Sequence, residues 1–122
     1  DITILAFGTT VSTALRAQKA LQETDISTEI IDGRSINPLD IDAVYESVKK
    51  TGHLLTLHEA HLPCGMGAEV IARIVERDGR VLKKAPIRLG PVYSPSPFAP
   101  ELEKAYLPTV DSVVKAVTDV VA

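Results

Sequence analysis

Short β-branched runs and amphipathic stripes take turns along this chain, and that alternation limits its fold more than any other feature. Ile2-Thr3-Ile4-Leu5-Ala6-Phe7 is apolar and closed by Gly8, the pattern of a buried strand. From Val11 to Glu23, Val11, Ala14, Leu15 and Leu21 share one side of a helix, and Arg16, Lys19 and Glu23 remain for water. Thr9 and Thr10 are placed to cap it. Thr28 to Asp32 reads as a second strand ended by Gly33. Asn37-Pro38-Leu39-Asp40 then introduces a helix with a stripe of Ile41, Val44 and Val48. Asp40 and Asp42 at its start and Lys49 and Lys50 at its end suit the helix dipole, and Gly52 stops it.

A third strand is expected over His53 to His58. Gly65-Met66-Gly67 opens a third helix with Val70, Ile71, Ile74 and Val75 inward, and Ile87-Arg88-Leu89 is a short fourth strand. Val110 to Val121 is rich in valine, a strand former. Yet Val110, Val113, Val114, Val117 and Val121 recur at a helical period, so the spacing predicts a helix against propensity. Strands alternating with helices mean crossover units, hence an α/β fold: a three-layer α/β/α sandwich around a mostly parallel sheet. Pro91 to Pro100, with four prolines in ten residues, is the one long irregular stretch.

The 122 residues suffice for one domain with a core of its own. Thirteen basic against sixteen acidic side chains leave a net charge of −3, which argues against nucleic acid or an anionic membrane as partner. One cysteine, Cys64, excludes an intrachain disulfide framework and fits a reducing compartment. No apolar run approaches the about 20 residues that span a bilayer. The chain opens on Asp1 directly before a strand, which reads as a piece of something longer.

Ligands of open parallel sheets bind at the carboxyl ends of the strands. Here those ends are Gly8-Thr9-Thr10, Asp32-Gly33-Arg34, His58-Glu59-Ala60-His61 and Gly90 to Tyr93. Gly8-Thr9-Thr10 suits an anion site or a plain strand-to-helix turn; it lacks dinucleotide-binding glycine spacing. Gly65-Met66-Gly67 fits close packing better than a phosphate cradle. His58, His61 and Cys64, with Glu59 beside them, have the residue types of a zinc site. Pro63 interrupts any helix between them, though, and no fourth ligand is evident. Cys64 with His61 as nucleophile and base lacks an orienting group. Asp32 and Arg34 suit a surface ion pair or an interface contact. His53 is expected at a strand start facing solvent. No complete catalytic, cofactor or metal site emerges from these residues.

Several segments taken together resemble the C-terminal domain of the transketolase superfamily: Asp1 to Thr9, Ile30 to Asp40 (Ile-Ile-Asp-Gly-Arg-Ser-Ile-Asn-Pro-Leu-Asp), Ser47 to Gly52, His58-Glu59-Ala60, Gly65 to Val70, Pro97 to Pro100, and Leu102 to Pro108. Within it, the chain is most similar to the beta subunit of the thiamine-dependent first component of 2-oxo acid dehydrogenase complexes, of pyruvate, branched-chain or acetoin type. The resemblance implies an intact parent that decarboxylates a 2-oxo acid and acylates a lipoyl group, with thiamine diphosphate and Mg²⁺ held by other domains. The Gly-Asp-Gly motif that holds the diphosphate does not occur here. This domain is then expected to be non-catalytic and to make subunit contacts: with a sister beta-type domain, an alpha-type subunit or domain, and the subunit-binding domain of the acyltransferase core. Arg34, His58, Glu59, His61, Tyr93 and Phe98 are the candidate interface residues.

The resemblance also implies a fifth, antiparallel strand before Asp1, four strands within this chain, and Thr28 to Asp32 as an edge. At Tyr93 the chain departs from the family pattern, where an Asp is frequent, so this loop does not assign a substrate. Location would be bacterial cytoplasm or mitochondrial matrix. Rival readings are the same domain of a transketolase or deoxyxylulose-phosphate synthase, a freestanding enzyme using the His58 to Cys64 loop, and a dimerisation module with no catalytic parent.

Overall fold

A central strand pairing on both sides organises the molecule. In the computed structural model, which describes residues 1–122, strand β1 (Ile2–Ala6) lies between β2 (Thr28–Asp32) and β3 (Leu54–Leu57), and β4 (Ile87–Leu89) pairs with the far side of β3. The order is β2-β1-β3-β4 and every pairing is parallel, with Ile4 opposite Ile30 and Leu55. The expected four-stranded sheet is present, and β2 is an edge. Five helices connect or flank the strands: α1 (Thr10–Leu21), α2 (Ile41–Thr51), α3 (Met66–Asp78), α4 (Pro100–Tyr106) and α5 (Val110–Val121).

Alternation along β1 sorts the core into two layers. Ile2, Ile4 and Ala6 pack with Leu55 and Leu57 under α1 and α5, against Ala14, Ala17, Leu21, Val113 and Val117. Leu5 and Leu54 point the other way, under Val44, Val48, Val70 and Ile74 of α2 and α3. Thr3 is also fully buried. Its hydroxyl bonds Ser47 Oγ at 2.7 Å and Thr51 Oγ1 at 2.9 Å, which removes the penalty for a buried polar group.

The valine-rich terminal segment is the predicted helix, and its inward stripe is Val113, Val117 and Val120. Thr109 accepts from the Ser112 N–H and Ser112 Oγ accepts from the Thr109 N–H, a reciprocal cap that starts this helix where propensity alone would not. Helix α2 is capped by Asp40, which accepts from the Ala43 N–H at 3.0 Å. It ends on Gly52 at φ +83°, a conformation that suits a residue without Cβ.

Some expectations shift. Leu15 and Val75, read as inward, are both half exposed. On α1 the inward positions are small, so Ala14 and Ala17 let the helix sit close to the sheet and to α5, and Leu15 falls outside that contact. Thr9 precedes α1 without a side-chain cap bond. The Thr10 hydroxyl instead accepts from the Phe7 N–H and lies within hydrogen-bond distance of the Phe7 and Leu57 carbonyls (2.7 and 2.9 Å), tying the turn to β3. The four strands are parallel, as expected for those within this chain, because each of the three connections between them is a helical crossover through α1, α2 or α3.

Candidate functional site: the carboxyl-end rim

The ends of the four strands open onto one rim, and His58 lies beneath it. This residue follows β3 directly and is 3% exposed, with its backbone N–H on the Leu89 carbonyl. Its Nδ1 donates to the Ala60 carbonyl at 2.8 Å, and its Nε2 has no hydrogen-bond partner. Three glycines wall the ring in. A Cβ on Gly65 would sit 2.8 Å from His58 Cε1, one on Gly67 3.0 Å from Nε2, and one on Gly90 2.9 Å from Nδ1. The glycines of Gly65-Met66-Gly67 are therefore there for close approach of α3 to β3 and its following turn. His58 was a candidate contact residue. Its burial removes it from the surface and makes it a support for the residues above.

His61 stands on the rim. Its Nε2 donates to the Ser94 carbonyl at 2.9 Å, and the ring meets Tyr93 and Tyr106 edge-on at 5.2 and 6.4 Å. The Tyr106 hydroxyl reaches the same carbonyl at 3.4 Å, and the Leu62 N–H donates to the Pro91 carbonyl. The Pro-rich stretch is thus held at Pro91 and Ser94 and runs across the end of the sheet into α4. Its outward side is apolar: Val92, Tyr93 and Phe98 are exposed, as is Leu102 on α4, and Phe98 is fully so.

The residue types of a zinc site do not converge. His58 is buried with its Nδ1 engaged, His61 turns to Ser94, Cys64 is exposed at φ +57°, and no group of three His, Cys, Asp or Glu is placed to hold a metal ion. At the start of α1 the Thr10, Val11 and Ser12 N–H groups donate to the carbonyls of Phe7, Gly8 and Thr9. Gly8-Thr9-Thr10 is thus a strand-to-helix turn in which the Thr10 N–H is used and the Gly8 and Thr9 N–H groups have no hydrogen-bond partner in the protein. Asp32 and Arg34 form an exposed ion pair at 2.8 Å beyond β2, away from the histidines. Glu59 is exposed at the end of β3 and lines grooves with α1 on one side and the Pro-rich stretch on the other.

His53 is half buried, with Nδ1 donating to the Asp1 carbonyl at 2.8 Å, rather than facing solvent. Burial, and then the Lys83 and Lys84 ammonium groups, hold its pKa below the ordinary histidine value. Sequence reasoning also passed over Tyr106, Val92 and Leu102. The helical pattern after Pro100 was the available signal for Leu102 and Tyr106, and nothing local marked Val92.

Residues 1–113 match the family described as "Transketolase, C-terminal domain". The chain belongs to the transketolase C-terminal domain family. It is 41% identical over 115 residues to the acetoin:2,6-dichlorophenolindophenol oxidoreductase subunit beta of Bacillus subtilis, covering 93% of this chain and 33% of that protein. Its identity to the mitochondrial pyruvate dehydrogenase E1 component subunit beta of Saccharomyces cerevisiae is 38%, over the whole chain and 34% of the relative. For the corresponding Rickettsia bellii subunit the identity is 42%, over 98% of this chain and 37% of the relative. A solved split-gene transketolase, described as an inactive beta4 tetramer, superposes with a TM-score of 0.81 at 29% identity, over 98% of this chain and 38% of that one. The chain spans about a third of the length of the curated relatives it matches.

The rim does not assemble the metal half of a thiamine diphosphate site: no three acidic, histidine or cysteine side chains converge there to hold the ion that accompanies a bound diphosphate.

Proposed function

We propose that this chain is one domain of a longer protein: the C-terminal assembly domain of a beta-type subunit of a thiamine-dependent 2-oxo acid or acetoin dehydrogenase. It makes no bonds itself. The reading is supported by membership of the family together with the identities to pyruvate and acetoin enzyme beta subunits. The observation that carries the domain's own role is the anchored, outward-apolar segment from Val92 to Leu102, in which a fully exposed Phe98 sits on a stretch held by His61 and Tyr106. A rigid apolar ridge loses little conformational entropy when covered, which suits a subunit contact. Sister beta-type domains, an alpha-type subunit and the acyltransferase core are the partners this assigns, with Arg34, Glu59 and His61 beside the ridge or on the same rim. The location it assigns is bacterial cytoplasm or mitochondrial matrix.

The test uses the full-length parent with its alpha-type partner. Oxidation of a 2-oxo acid or acetoin with an artificial electron acceptor is the expected activity. Ketol transfer between sugar phosphates would replace this reading with a transketolase, which the similarity to the split-gene transketolase favours. Calorimetry of the 122-residue domain with thiamine diphosphate and Mg²⁺ is expected to give no heat of binding. Micromolar binding would overturn the non-catalytic assignment.

A further inference from the structure

The largest groove of the molecule, about 620 Å³, lies between the start of α1 and the turn joining α4 to α5. Arg16, Lys104 and Glu59 all line it, and none of the six ion pairs of the molecule involves any of them. Arg16 spends only its Nε, in a long 3.4 Å bond to the Ser12 carbonyl, which leaves the outer edge of the guanidinium free. Thr13 lines the same groove, is nine-tenths buried, and its hydroxyl makes no hydrogen bond to the protein. That hydroxyl is not sealed from solvent, so it is open to water or to a ligand in the groove. The Thr10, Val11 and Ser12 N–H groups are engaged by Phe7, Gly8 and Thr9, and the charged groups of the groove are its side chains.

Two free cations and one free carboxylate in one groove select on charge distribution. A simple anion meets Glu59, and a simple cation meets Arg16 and Lys104. We propose that the groove binds a small zwitterion that carries an oxyanion and an ammonium group, an amino acid or an aminoalkyl phosphate. Arg16 and Lys104 take the oxyanion, with the Thr13 hydroxyl donating to it, and Glu59 accepts from the ammonium. This site adjoins the apolar ridge through Glu59 and through Lys104 on α4, and it does not depend on the assembly reading.

Isothermal titration calorimetry on the full-length chain tests it, at constant ionic strength, with glycine and phosphoethanolamine as zwitterions and inorganic phosphate and methylammonium as single-charge probes. At least one zwitterion is expected to bind with Kd below about 10 mM, and about fivefold or more tighter than inorganic phosphate. Which of the two binds separates carboxylate from phosphate. Arg16→Gln and Lys104→Gln are each expected to weaken binding about tenfold. Glu59→Gln should bring the zwitterion down to the level of inorganic phosphate. All three side chains are exposed, so circular-dichroism melts of the variants should match the parent's and separate lost binding from lost fold. Absence of zwitterion binding in that range overturns the proposal. So does binding that the three substitutions leave unchanged.

Discussion

Gly67 carries more of this architecture than its size suggests. A methyl group there would run into Thr56 Oγ1 and His58 Nε2, both in the buried layer between β3 and α3. Neither neighbour has room to retreat: Thr56 is fully buried and His58 is tied to Ala60. Gly67→Ala is therefore expected to destabilise the fold by about 2 kcal/mol or more despite the better helix propensity of alanine. Urea unfolding measures this, and a variant as stable as the parent would mean α3 can lift off the strand at no cost. His53 makes a second prediction at this scale. Its folded-state pKa is lowered, so the unfolded chain takes up a proton near the ordinary value of 6.5 while the folded chain does so only at lower pH. Stability is then complete above about 6.5 and falls as pH drops through that value towards the folded pKa. Melting temperatures between pH 7.5 and 5.5 should decline less steeply in His53→Gln than in the parent. Equal slopes would remove His53 from the account.

Helix α5 illustrates how an element can form against its propensities. Six valines disfavour a helix in isolation, since each loses side-chain freedom against the preceding turn. Val113 and Val117 are fully buried against α1 and the sheet, and the Thr109–Ser112 cap fixes the first turn. Burial outweighs propensity, because a buried valine gains about 1.5 kcal/mol or more against a propensity deficit of a few tenths. Val117→Asp places an unpaired charge in that layer, and a loss of about 3 kcal/mol or more is expected. An unchanged melting temperature would show that α5 is not docked. Helix α4 behaves differently. It has only seven residues and none of them is buried, so its position comes from Pro100 at its start and from Tyr106 reaching Ser94.

The molecule as a whole presents two surfaces with opposite character. On the β2 edge, Glu29 pairs with Lys50 at 2.8 Å, and that bond holds the Glu29 carboxyl below its ordinary range. Charge on an edge strand discourages sheet-to-sheet pairing between copies. The ridge from Val92 to Leu102 is different, with Glu101 its one charged side chain beside four exposed apolar ones. Phe98→Ala in the assembled parent is expected to raise the dissociation constant of the subunit contact about tenfold or more, with the domain's melting temperature within about 2 °C of the parent's. Analytical ultracentrifugation and calorimetric melting read the two effects. Equal losses of assembly and stability would mean that Phe98 serves the fold and not the contact.

The α/β class, the four strands, four of the five helices and the Asp40 and Gly52 ends of α2 were all legible in the chain, because periodicity, caps and stop signals act over a few neighbouring residues. So was the polar rim, since parallel crossovers bring every strand's carboxyl end to one side. The fate of each rim residue was not legible. His58 and His61 lie three positions apart, yet one is sealed by Gly65, Gly67 and Gly90 and the other faces Tyr93 and Tyr106. Nor does spacing bring Arg16, Glu59 and Lys104 to one groove. Those outcomes depend on contacts between segments dozens of residues apart, and such contacts exist only once the layers have packed.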